Sequence, residues 1–333
     1  MRTVRYKILF TMGLVLCTQL VPAQTNRILV PKQANNYIKI YQPKGDYFFG
    51  PDTKELKEGE WYERWIPNDH CFVKHNDGLW HIFGITHPYT DPKLGNIHQG
   101  EYASFHAVSK VTDFKKSVEI DHYADKAKIL PPKERPGEIN ANHAPYIVKK
   151  EELYYMVYGH SPIRLATSPD LFNWTPRGTL FEEELGARDP NLILYKGIYY
   201  ITYCSEKCVR MRSSKDLIQW SEAKTILTTN DFDPESPSVI FYNNTFYLFV
   251  CSWQKGQWDR VSLMGAYTHN AHVYASDNIN NFGTDNEKEI TILKAHAPEI
   301  FQGEDGQWYI SSVVYPDMGV SVDKLFWVEQ SEK

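Results

Sequence analysis

One pattern of polar and apolar positions occurs five times along the chain. In each copy a polar or acidic residue, usually a proline and an apolar run are followed by a turn and an aromatic strand. This pattern predicts two short antiparallel strands joined by a tight turn. Most of the turns carry Asp-Gly, Lys-Gly or Asn-Asn, which accept the positive φ that hairpin turns require. The copies begin at residues 68–73, 143–148, 188–193, 235–240 and 296–301.

The spacing of the copies predicts how they assemble. A further strand, a turn and an aromatic residue follow the hairpin in most copies, as in 166–174 and 212–220. Repeats of about 40 to 50 residues with several strands each are typical of β-propellers. Five copies therefore predict an all-β, five-bladed propeller, a single domain over residues 24–333. The blade anchors are Asp69, Ala144, Asp189, Ser236 and Ala297, which are 75, 45, 47 and 61 residues apart.

Composition narrows the classes of function. Aromatic residues make up 14% of the chain, and most of them lie in the repeated strands, so we expect them to form the contacts between blades. The formal net charge of −5 gives no basic surface for a nucleic acid, and we exclude that partner.

The N-terminal residues predict export. Three basic residues precede the apolar run 8–17, and the small residue Ala23 ends the segment as a signal-peptidase site requires. The apolar run is shorter than the roughly 20 residues that a membrane span needs. We therefore expect residues 1–23 to be a signal peptide and the protein to be secreted or periplasmic. A lipid anchor at Cys17 is the alternative, although the bulky Leu16 precedes it where a small residue is expected.

Four cysteines follow the predicted signal peptide. Export permits disulfides, and Cys204 and Cys208 could be joined across a tight hairpin. The alternative is that all four cysteines are small buried residues. Their spacing does not fit a zinc site.

Acidic residues occupy equivalent positions in the repeat. Asp69 and Asp189 are anchors of copies one and three, and Glu235 immediately precedes the anchor of copy four. Because the first strand of every blade lines the axis of a propeller, these carboxylates are expected to converge there. Paired carboxylates are the equipment of glycoside hydrolysis, one as acid and one as base or nucleophile. The alternative is that Asp69 and Asp189 have only a structural role, as turn or cap residues.

The architecture and the three acids resemble those of the five-bladed glycosidases of glycoside hydrolase families 43 and 32. The resemblance to family 43 implies that Asp69 is the general base, that Asp189 orients the substrate and tunes a pKa, and that Glu235 is the general acid of an inverting enzyme. It also implies that no cofactor is required, although a central Ca or Na ion is possible.

Family 32 is the second resemblance. Residues 65–70 are similar to its nucleophile motif and 187–190 to its Arg-Asp-Pro motif, which would make Asp69 a nucleophile and the enzyme retaining. The chain departs from family 32 at His70 and at Ser236, where that family has other residues. Family 43, or an unassigned relative of it, therefore fits better.

Further candidates surround the predicted acids. Arg188 is expected to bind sugar hydroxyls or to pair with a carboxylate, and Asn68 and His143 are candidates for sugar binding. His296 is a candidate for a metal ligand, for a hydrogen bond to the sugar or an acid, and as an alternative acid. Glu299 is a rival to Glu235 as the acid.

Aromatic residues before the first blade have two interpretations. Trp61, Tyr62 and Trp65 could stack on sugar faces at the mouth of the pocket, or they could pack the N-terminal segment across the propeller.

The sequence therefore predicts a secreted, monomeric glycosidase that acts on oligosaccharides or polysaccharides. A pocket at a propeller axis suits a terminal sugar, and α-L-arabinofuranose is the best single expectation among furanoses and pentoses. A non-catalytic carbohydrate-binding propeller is the main alternative from another class. A phosphorylase is a weaker third interpretation, because no basic cluster beyond Arg164 and Arg188 is present to bind phosphate.

Overall fold

The structure is a computed structural model that describes residues 27–89, 100–138, 142–253 and 267–329. Nearly all regular structure in these residues is β, arranged as five antiparallel sheets that form the blades of a propeller. The prediction of an all-β, five-bladed propeller is confirmed. The predicted signal peptide and Cys17 lie outside the described residues. No helix in the described ranges is both long and apolar enough to cross a membrane.

The strands follow one another around the ring in chain order. Before the first blade come β1 (Leu29–Gln33), β2 (Ile38–Tyr41) and a small hairpin of β3 (Asp46–Tyr47) and β4 (Trp61–Tyr62). Blade one contains β5 (Trp65–Lys74), β6 (Trp80–Pro88), β7 (Ala103–Val108) and β8 (Ala124–Ile129). Blade two contains β9 (Tyr146–Lys150), β10 (Leu153–Tyr158), β11 (Ile163–Ser168) and β12 (Thr175–Phe181).

The remaining blades have the same organisation. Blade three contains β13 (Arg188–Tyr195), β14 (Ile198–Ser205), β15 (Cys208–Ser214) and β16 (Lys224–Thr228). Blade four contains β17 (Asp233–Tyr242), β18 (Thr245–Trp253), β19 (Tyr267–Ser276) and β20 (Glu289–Lys294). Blade five contains β21 (Ile300–Gln302), β22 (Trp308–Val313) and β23 (Val320–Glu329). Helix α1 (Phe114–Glu119) lies between β7 and β8 of blade one. A 3₁₀ turn at Pro132–Glu134 lies in the connection from blade one to blade two.

Strands from the beginning and the end of the described chain close the ring. Both β1 and β2 pair antiparallel with β23, so that they complete the sheet of blade five. In this pairing Leu29 is opposite Glu329 and Ile38 is opposite Val322. The closure leaves no gap between blades five and one.

Apolar side chains fill the seams between the blades. One cluster of buried residues lies at each of the five seams, and each combines residues from two neighbouring blades. Aromatic residues are prominent in these clusters, and several tyrosines are fully buried in them: Tyr154, Tyr158, Tyr203, Tyr247, Tyr274 and Tyr309. Most of the aromatic content therefore holds blades together, as the repeat predicts.

Backbone conformation explains the choice of residues in the turns and at the axis. Lys196 and Gly197 in one hairpin, and Asn243 and Asn244 in another, have positive φ, as predicted for these turns. The anchors of four blades also have left-handed φ values between 43° and 56° although none is a glycine: Ala144, Asp189, Ser236 and Ala297. Such conformations cost free energy and often occur at functional sites.

The inner strands bulge where the anchors lie. The pairing register shifts between Pro67 and His70 in blade one, and equivalent shifts occur beside Asp189 and Ser236 in blades three and four. Bulges redirect side chains and interrupt the ladder. The three anchors that carry polar side chains therefore lie at irregular points of the inner strands.

The cysteines are free. All four in the described part of the chain are unbridged, and three of them are buried. Cys204 is opposite Val209 and Cys208 is opposite Ser205 across the same hairpin. The disulfide between Cys204 and Cys208 is therefore not formed, because the register does not place them opposite each other.

Candidate active site

The anchors of three blades meet at the propeller axis and are linked by hydrogen bonds. The Ser236 hydroxyl donates to Asp69 Oδ1, and the Ser236 backbone N–H donates to Asp189 Oδ2 at 3.1 Å. Glu235 immediately precedes Ser236 on β17. We call Asp69, Asp189, Glu235, Ser236 and Arg188 the acid centre. The structure thus brings together the three carboxylates that the sequence predicts to converge.

Arg188 supplies a positive charge next to these acids. Its guanidinium lies 3.6 Å from Asp189 Oδ2 and 3.4 Å from Glu235 Oε1, and it donates to the backbone oxygen of Pro234 at 3.2 Å. The side chain remains 29% exposed. Arg188 therefore pairs with carboxylates, one of the two roles expected from the sequence, and is still accessible to a bound sugar.

The surroundings of Asp69 favour its protonated form. Burial and the neighbouring charge of Asp189 raise the pKa of Asp69 well above its usual value, and Glu235 adds a smaller effect. The hydrogen bond from Ser236 acts in the opposite direction because it stabilises the ionised carboxylate. A raised pKa makes the ionised Asp69 a stronger base than an ordinary aspartate.

His143 lies between two buried carboxylates. Its Nδ1 is 3.4 Å from Asp189 Oδ1, and its Nε2 is 3.5 Å from Glu101 Oε2. The side chains of Asp189 and Glu101 are only 4% and 6% exposed. The ring of His160 contacts His143 edge-on, with 5.0 Å between the centroids. His143 therefore lies next to the acid centre. Its predicted role in sugar binding stays a prediction.

His296 and Asn68 form a second polar pair near the axis. His296 Nε2 lies 3.0 Å from Asn68 Oδ1, and the His296 backbone N–H donates to Ser312 Oγ at 2.9 Å. In the ranges that the structure covers, no three His, Cys, Asp or Glu side chains are grouped as a metal ion would require. The Asn68 contact uses one ring nitrogen of His296, and a metal ion at the other nitrogen stays a prediction.

Glu299 lies beyond the acid centre along the inner strands. It lines a narrow cavity at the axis together with Asp69, Tyr146 and Asn191. Burial, and then the charge of Asp69, raise the pKa of Glu299 well above the usual range for a glutamate. This side chain is therefore another carboxyl group of the axial cavity.

His70 and Ser311 support this end of the cavity. His70 Nε2 contacts Ser311 Oγ at 2.8 Å, and the same oxygen accepts the backbone N–H of Glu299 at 3.1 Å. Burial lowers the pKa of His70 to about 3, so the ring stays neutral at physiological pH. It therefore adds no positive charge to compensate the acids.

The aromatic residues before blade one pack against the fold. Trp65 is 2% exposed, clusters with Phe48 and Leu56, and has Lys128 Nζ 4.3 Å above its ring. Its edge borders a separate cleft. Trp61, in contrast, is 53% exposed on the small hairpin. For Trp65 the structure favours the packing interpretation, because a ring covered in this way has no face available for a sugar.

Glu101 and Ser236 have contacts that the sequence did not indicate. Glu101 lies between β6 and β7, in a connection that is much longer than its counterparts in blades two, three and five, so the repeat gave no signal for it. Ser236 is an anchor of the repeat, but the sequence did not indicate that its hydroxyl and its backbone N–H link two acids. The small residue in this column is alanine in blades two and five, and that contrast was the available signal.

The contacts divide the carboxylates of the centre into different environments. Glu235 faces Arg188, whereas Asp69 faces two other acids and one hydroxyl donor. Carboxylates whose surroundings set their proton affinities apart can divide the roles of acid and base. The arrangement can therefore protonate one atom of a substrate and take a proton from a water molecule.

Comparison with known proteins gives a family resemblance. Residues 184–319 match the model of the family described as glycosyl hydrolases family 43. This range includes Asp189, Glu235, His296 and Glu299, whereas Asp69 precedes it. No curated protein sequence matches the chain. The predicted resemblance is confirmed, and with it the prediction of a glycoside hydrolase.

Solved structures share the fold at low sequence identity. A thermostable family 43 glycoside hydrolase is 12% identical, with 81% of this chain and 94% of that chain covered and a TM-score of 0.58. A family 43 β-xylosidase/α-arabinofuranosidase from a compost microbial metagenome, solved with xylotriose, is 15% identical, with 86% and 94% covered and a TM-score of 0.56. A family 32 β-fructofuranosidase from Bombyx mori is 16% identical, with 78% and 60% covered and a TM-score of 0.56.

Proposed function

We propose that this chain, a glycoside hydrolase similar to family 43, removes terminal furanose or pentose units, with α-L-arabinofuranose as the preferred sugar. The observation that carries the proposal is the acid centre, in which Asp69 and Glu235 have different partners at the propeller axis. A pocket at the axis of a propeller suits a terminal sugar. The pentose class is supported by the β-xylosidase/α-arabinofuranosidase that shares the fold.

We propose for the two acids the roles that the resemblance to family 43 implies. Asp69, in its ionised form, accepts a proton from a water molecule whose oxygen attacks the anomeric carbon. The bond from that carbon to the leaving oxygen breaks, and Glu235 donates its proton to that oxygen. Asp189 orients Ser236 and hence Asp69. This displacement inverts the configuration of the anomeric carbon.

Other polar residues of the region are proposed to bind the sugar. Arg188 is partly exposed next to Glu235, so its guanidinium is positioned to donate to hydroxyl groups. Asn68 and His296 lie as a pair on the blade-one and blade-five side of the axis. We propose that these side chains select the sugar that enters the cavity.

We also propose that the enzyme acts outside the cytoplasm. The support is the sequence pattern of residues 1–23, with its basic start, apolar run and small residue at Ala23. N-terminal sequencing of protein recovered from the periplasm or medium tests this proposal. A mature chain that starts at Gln24 is expected. A chain that retains Met1 and stays in the cytoplasmic fraction would contradict the proposal, whereas a lipid-modified Cys17 would show that the exported protein is anchored.

A substrate screen with product analysis tests the reaction. Wild-type protein is incubated with aryl furanosides, aryl pyranosides of pentoses and plant cell-wall oligosaccharides, and the anomer formed first is followed by NMR. Release of arabinose with inverted configuration is expected. Retained configuration would make Asp69 a nucleophile. Sugar binding without turnover of any substrate would indicate a carbohydrate-binding propeller instead.

The identity of the acid is tested with leaving groups of different pKa. Glu235→Gln is expected to lower kcat by about 10²–10⁴-fold for natural oligosaccharides and much less for activated aryl glycosides, whose leaving groups need no proton. Glu299→Gln is the matched comparison within the same cavity. If Glu299→Gln showed this dependence on the leaving group and Glu235→Gln did not, the acid would be Glu299.

A further inference from the structure

Glu101 is a buried carboxylate whose contacts lead to the acid centre. It is 5% exposed and reaches His143, the ring that also faces Asp189. The two distances, 3.5 and 3.4 Å, are slightly longer than a hydrogen bond. Polar contacts of this kind are often long in the free enzyme and shorten when substrate binds. Glu101, His143 and Asp189 therefore form a continuous row of side chains.

The row continues from Asp189 to the proposed base. Asp189 faces His143 with Oδ1 and accepts the Ser236 backbone N–H with Oδ2. The Ser236 hydroxyl in turn donates to Asp69. A rotation of the Asp189 carboxylate would therefore disturb both the His143 contact and the position of Ser236. The orientation of Asp189 is the link between Glu101 and Asp69.

Backbone hydrogen bonds hold both ends of the row independently of the Glu101 carboxylate. The Glu101 backbone oxygen accepts Asn142 N–H at 2.8 Å, and the His143 backbone oxygen accepts Gly159 N–H at 2.7 Å. Arg135, which is 1% exposed, donates to the backbone oxygen of Tyr102 at 2.9 Å. All three bonds end on main-chain oxygens and none on the Glu101 carboxylate. We therefore expect the backbone around Glu101 to stay in place when an amide replaces the carboxylate.

The carboxylate of Glu101 is almost completely buried, and the His143 ring is one of its polar partners. Burying an ionised group requires a compensating partner, and the charged or titratable groups facing His143 are Glu101, Asp189 and the His160 ring. Arg188 lies on the opposite side of Asp189. The imidazole of His143 is thus the group that connects two buried acids, and it has polar contacts through both ring nitrogens.

We propose that Glu101 is a positioning residue of the acid centre, which acts through His143 to hold Asp189, and thereby Ser236 and Asp69, in the orientation for proton transfer. The inference rests on the proposed function of this centre. Glu101 itself does not touch the substrate in this arrangement. Its removal therefore affects the chemical step more than substrate binding.

Steady-state kinetics separate the two effects. Glu101→Gln is expected to lower kcat about tenfold through misplacement of the base while KM changes less than about twofold. If Glu101 acts through His143, the double variant Glu101→Gln/His143→Gln loses no more activity than His143→Gln alone. Additive losses, or a wild-type kcat in Glu101→Gln, would overturn the inference while leaving hydrolysis by the wild type established.

Glu289→Gln is the matched control. Glu289 contacts His272 Nδ1 on the outer strands of blade four, and both side chains are buried to a similar degree as His143. Neither belongs to the acid centre. A wild-type kcat is expected for this variant, which shows that losing a carboxylate next to a histidine does not by itself reduce turnover.

A spectroscopic measurement tests the inference without a substrate. In protein with ¹⁵N-labelled histidine, Glu101→Gln is expected to shift both ring-nitrogen signals of His143, including Nδ1, which faces Asp189. A shift confined to Nε2, or no shift, would show that the contact does not reach Asp189. This result remains decisive if the wild type hydrolyses no glycoside, an outcome that would overturn the proposed function alone.

Discussion

Two groups of carboxylates in this propeller have opposite surroundings. At the axis, Asp189 and Glu235 share Arg188, and Asp69 faces the charges of both acids. Between blades two and three, Glu183 alone receives two arginines and a tyrosine: Arg212 donates at 2.7 and 3.1 Å, Arg210 at 2.6 Å, and Tyr203 donates its hydroxyl. We call Glu183, Tyr203, Arg210 and Arg212 the clamp.

The two groups differ in the direction of the pKa shift. Burial acts to raise the pKa of Glu183, but the hydrogen bonds from Tyr203 and Arg212 outweigh it, so the pKa is lowered. At Asp69, burial and like charges act together and the pKa is raised. The clamp therefore stabilises an ionised carboxylate and the fold with it. The acid centre holds its carboxylates at a cost, which is typical of catalytic sites.

A second set of residues has the same arrangement as the clamp, which supports a structural role for both. Forty-five residues earlier, Glu138 accepts the hydroxyl of Tyr158 at 2.9 Å and lies 3.6 Å from Arg164 and from the buried Arg135. Both copies connect a segment between blades to the second and third strands of the next blade. A device that recurs at successive seams is explained by assembly of the blades and not by one reaction.

The largest expected effect comes from neutralising the base. Asp69→Asn is expected to lower kcat/KM by about 10²–10⁴-fold, because general base catalysis is lost. The melting temperature is expected not to fall, since a carboxylate with a raised pKa is destabilising when ionised in the folded state. Parallel measurement of kinetics and thermal unfolding at pH 7 checks both. Full activity would remove Asp69 from the mechanism, and a large loss of stability would contradict the contrast with the clamp.

Glu183→Gln is expected to act in the opposite way. It leaves two arginines without their carboxylate, and we expect the free energy of unfolding to fall by about 3 kcal/mol at pH 7, with kcat nearly unchanged. The lowered pKa of Glu183 means that its stabilisation is present above the ordinary glutamate pKa of 4.5 and is lost as the pH falls through the folded-state pKa. Denaturant unfolding at several pH values measures this.

The control for the clamp is its neighbour in sequence. Glu184 is exposed, so Glu184→Gln is expected to leave the unfolding free energy unchanged. If the stabilities of Glu183→Gln and wild type did not converge at low pH, the stabilisation would not come from the ionised carboxylate.

The smallest expected effect concerns the link within the acid centre. Ser236→Ala removes the hydroxyl that favours ionised Asp69, so the pKa of Asp69 rises further. A charge-assisted hydrogen bond corresponds to about one pKa unit, and the acidic limb of the kcat/KM profile is expected to move up by about one pH unit. Alanine is compatible with the backbone, because Ala144 and Ala297 have similar left-handed φ values at equivalent anchors. An unchanged limb would mean that another group controls it.

The features that could be predicted from the sequence are those whose place is determined by the repeat. The five blades and the convergence of Asp69, Asp189 and Glu235 follow from equivalent places in five copies, because all inner strands of a propeller share one axis. Glu101 could not be found in this way, since it lies in the long connection between β6 and β7, outside the repeated pattern. Trp65 could not be assigned because a tryptophan next to a strand packs inward or outward according to neighbours that are distant in sequence.

The residues of the clamp are repeated in the sequence, and this repeat could have predicted the contacts between blades. Glu138, Tyr158 and Arg164 precede Glu183, Tyr203 and Arg210 by 45, 45 and 46 residues, which is close to the interval between the anchors of blades two and three. A repeated polar set at such spacing predicts contacts between blades as well as an apolar repeat does. Of the two interpretations of the cysteines, the bridge between Cys204 and Cys208 is not formed, because strand register, which the sequence leaves open, decides which residues are opposite.

The pairing of β1 and β2 with β23 has a consequence for biosynthesis. The N-terminal strands leave the ribosome long before their partner, with almost 300 residues of chain synthesised in between. Until β23 is made, β1 and β2 lack the strand with which they pair, so the ring between blades five and one is not yet closed. Hydrolytic activity should therefore emerge only after the final strand has been made and paired, so a chain interrupted before β23 contains all three central acids but no closed cavity around them.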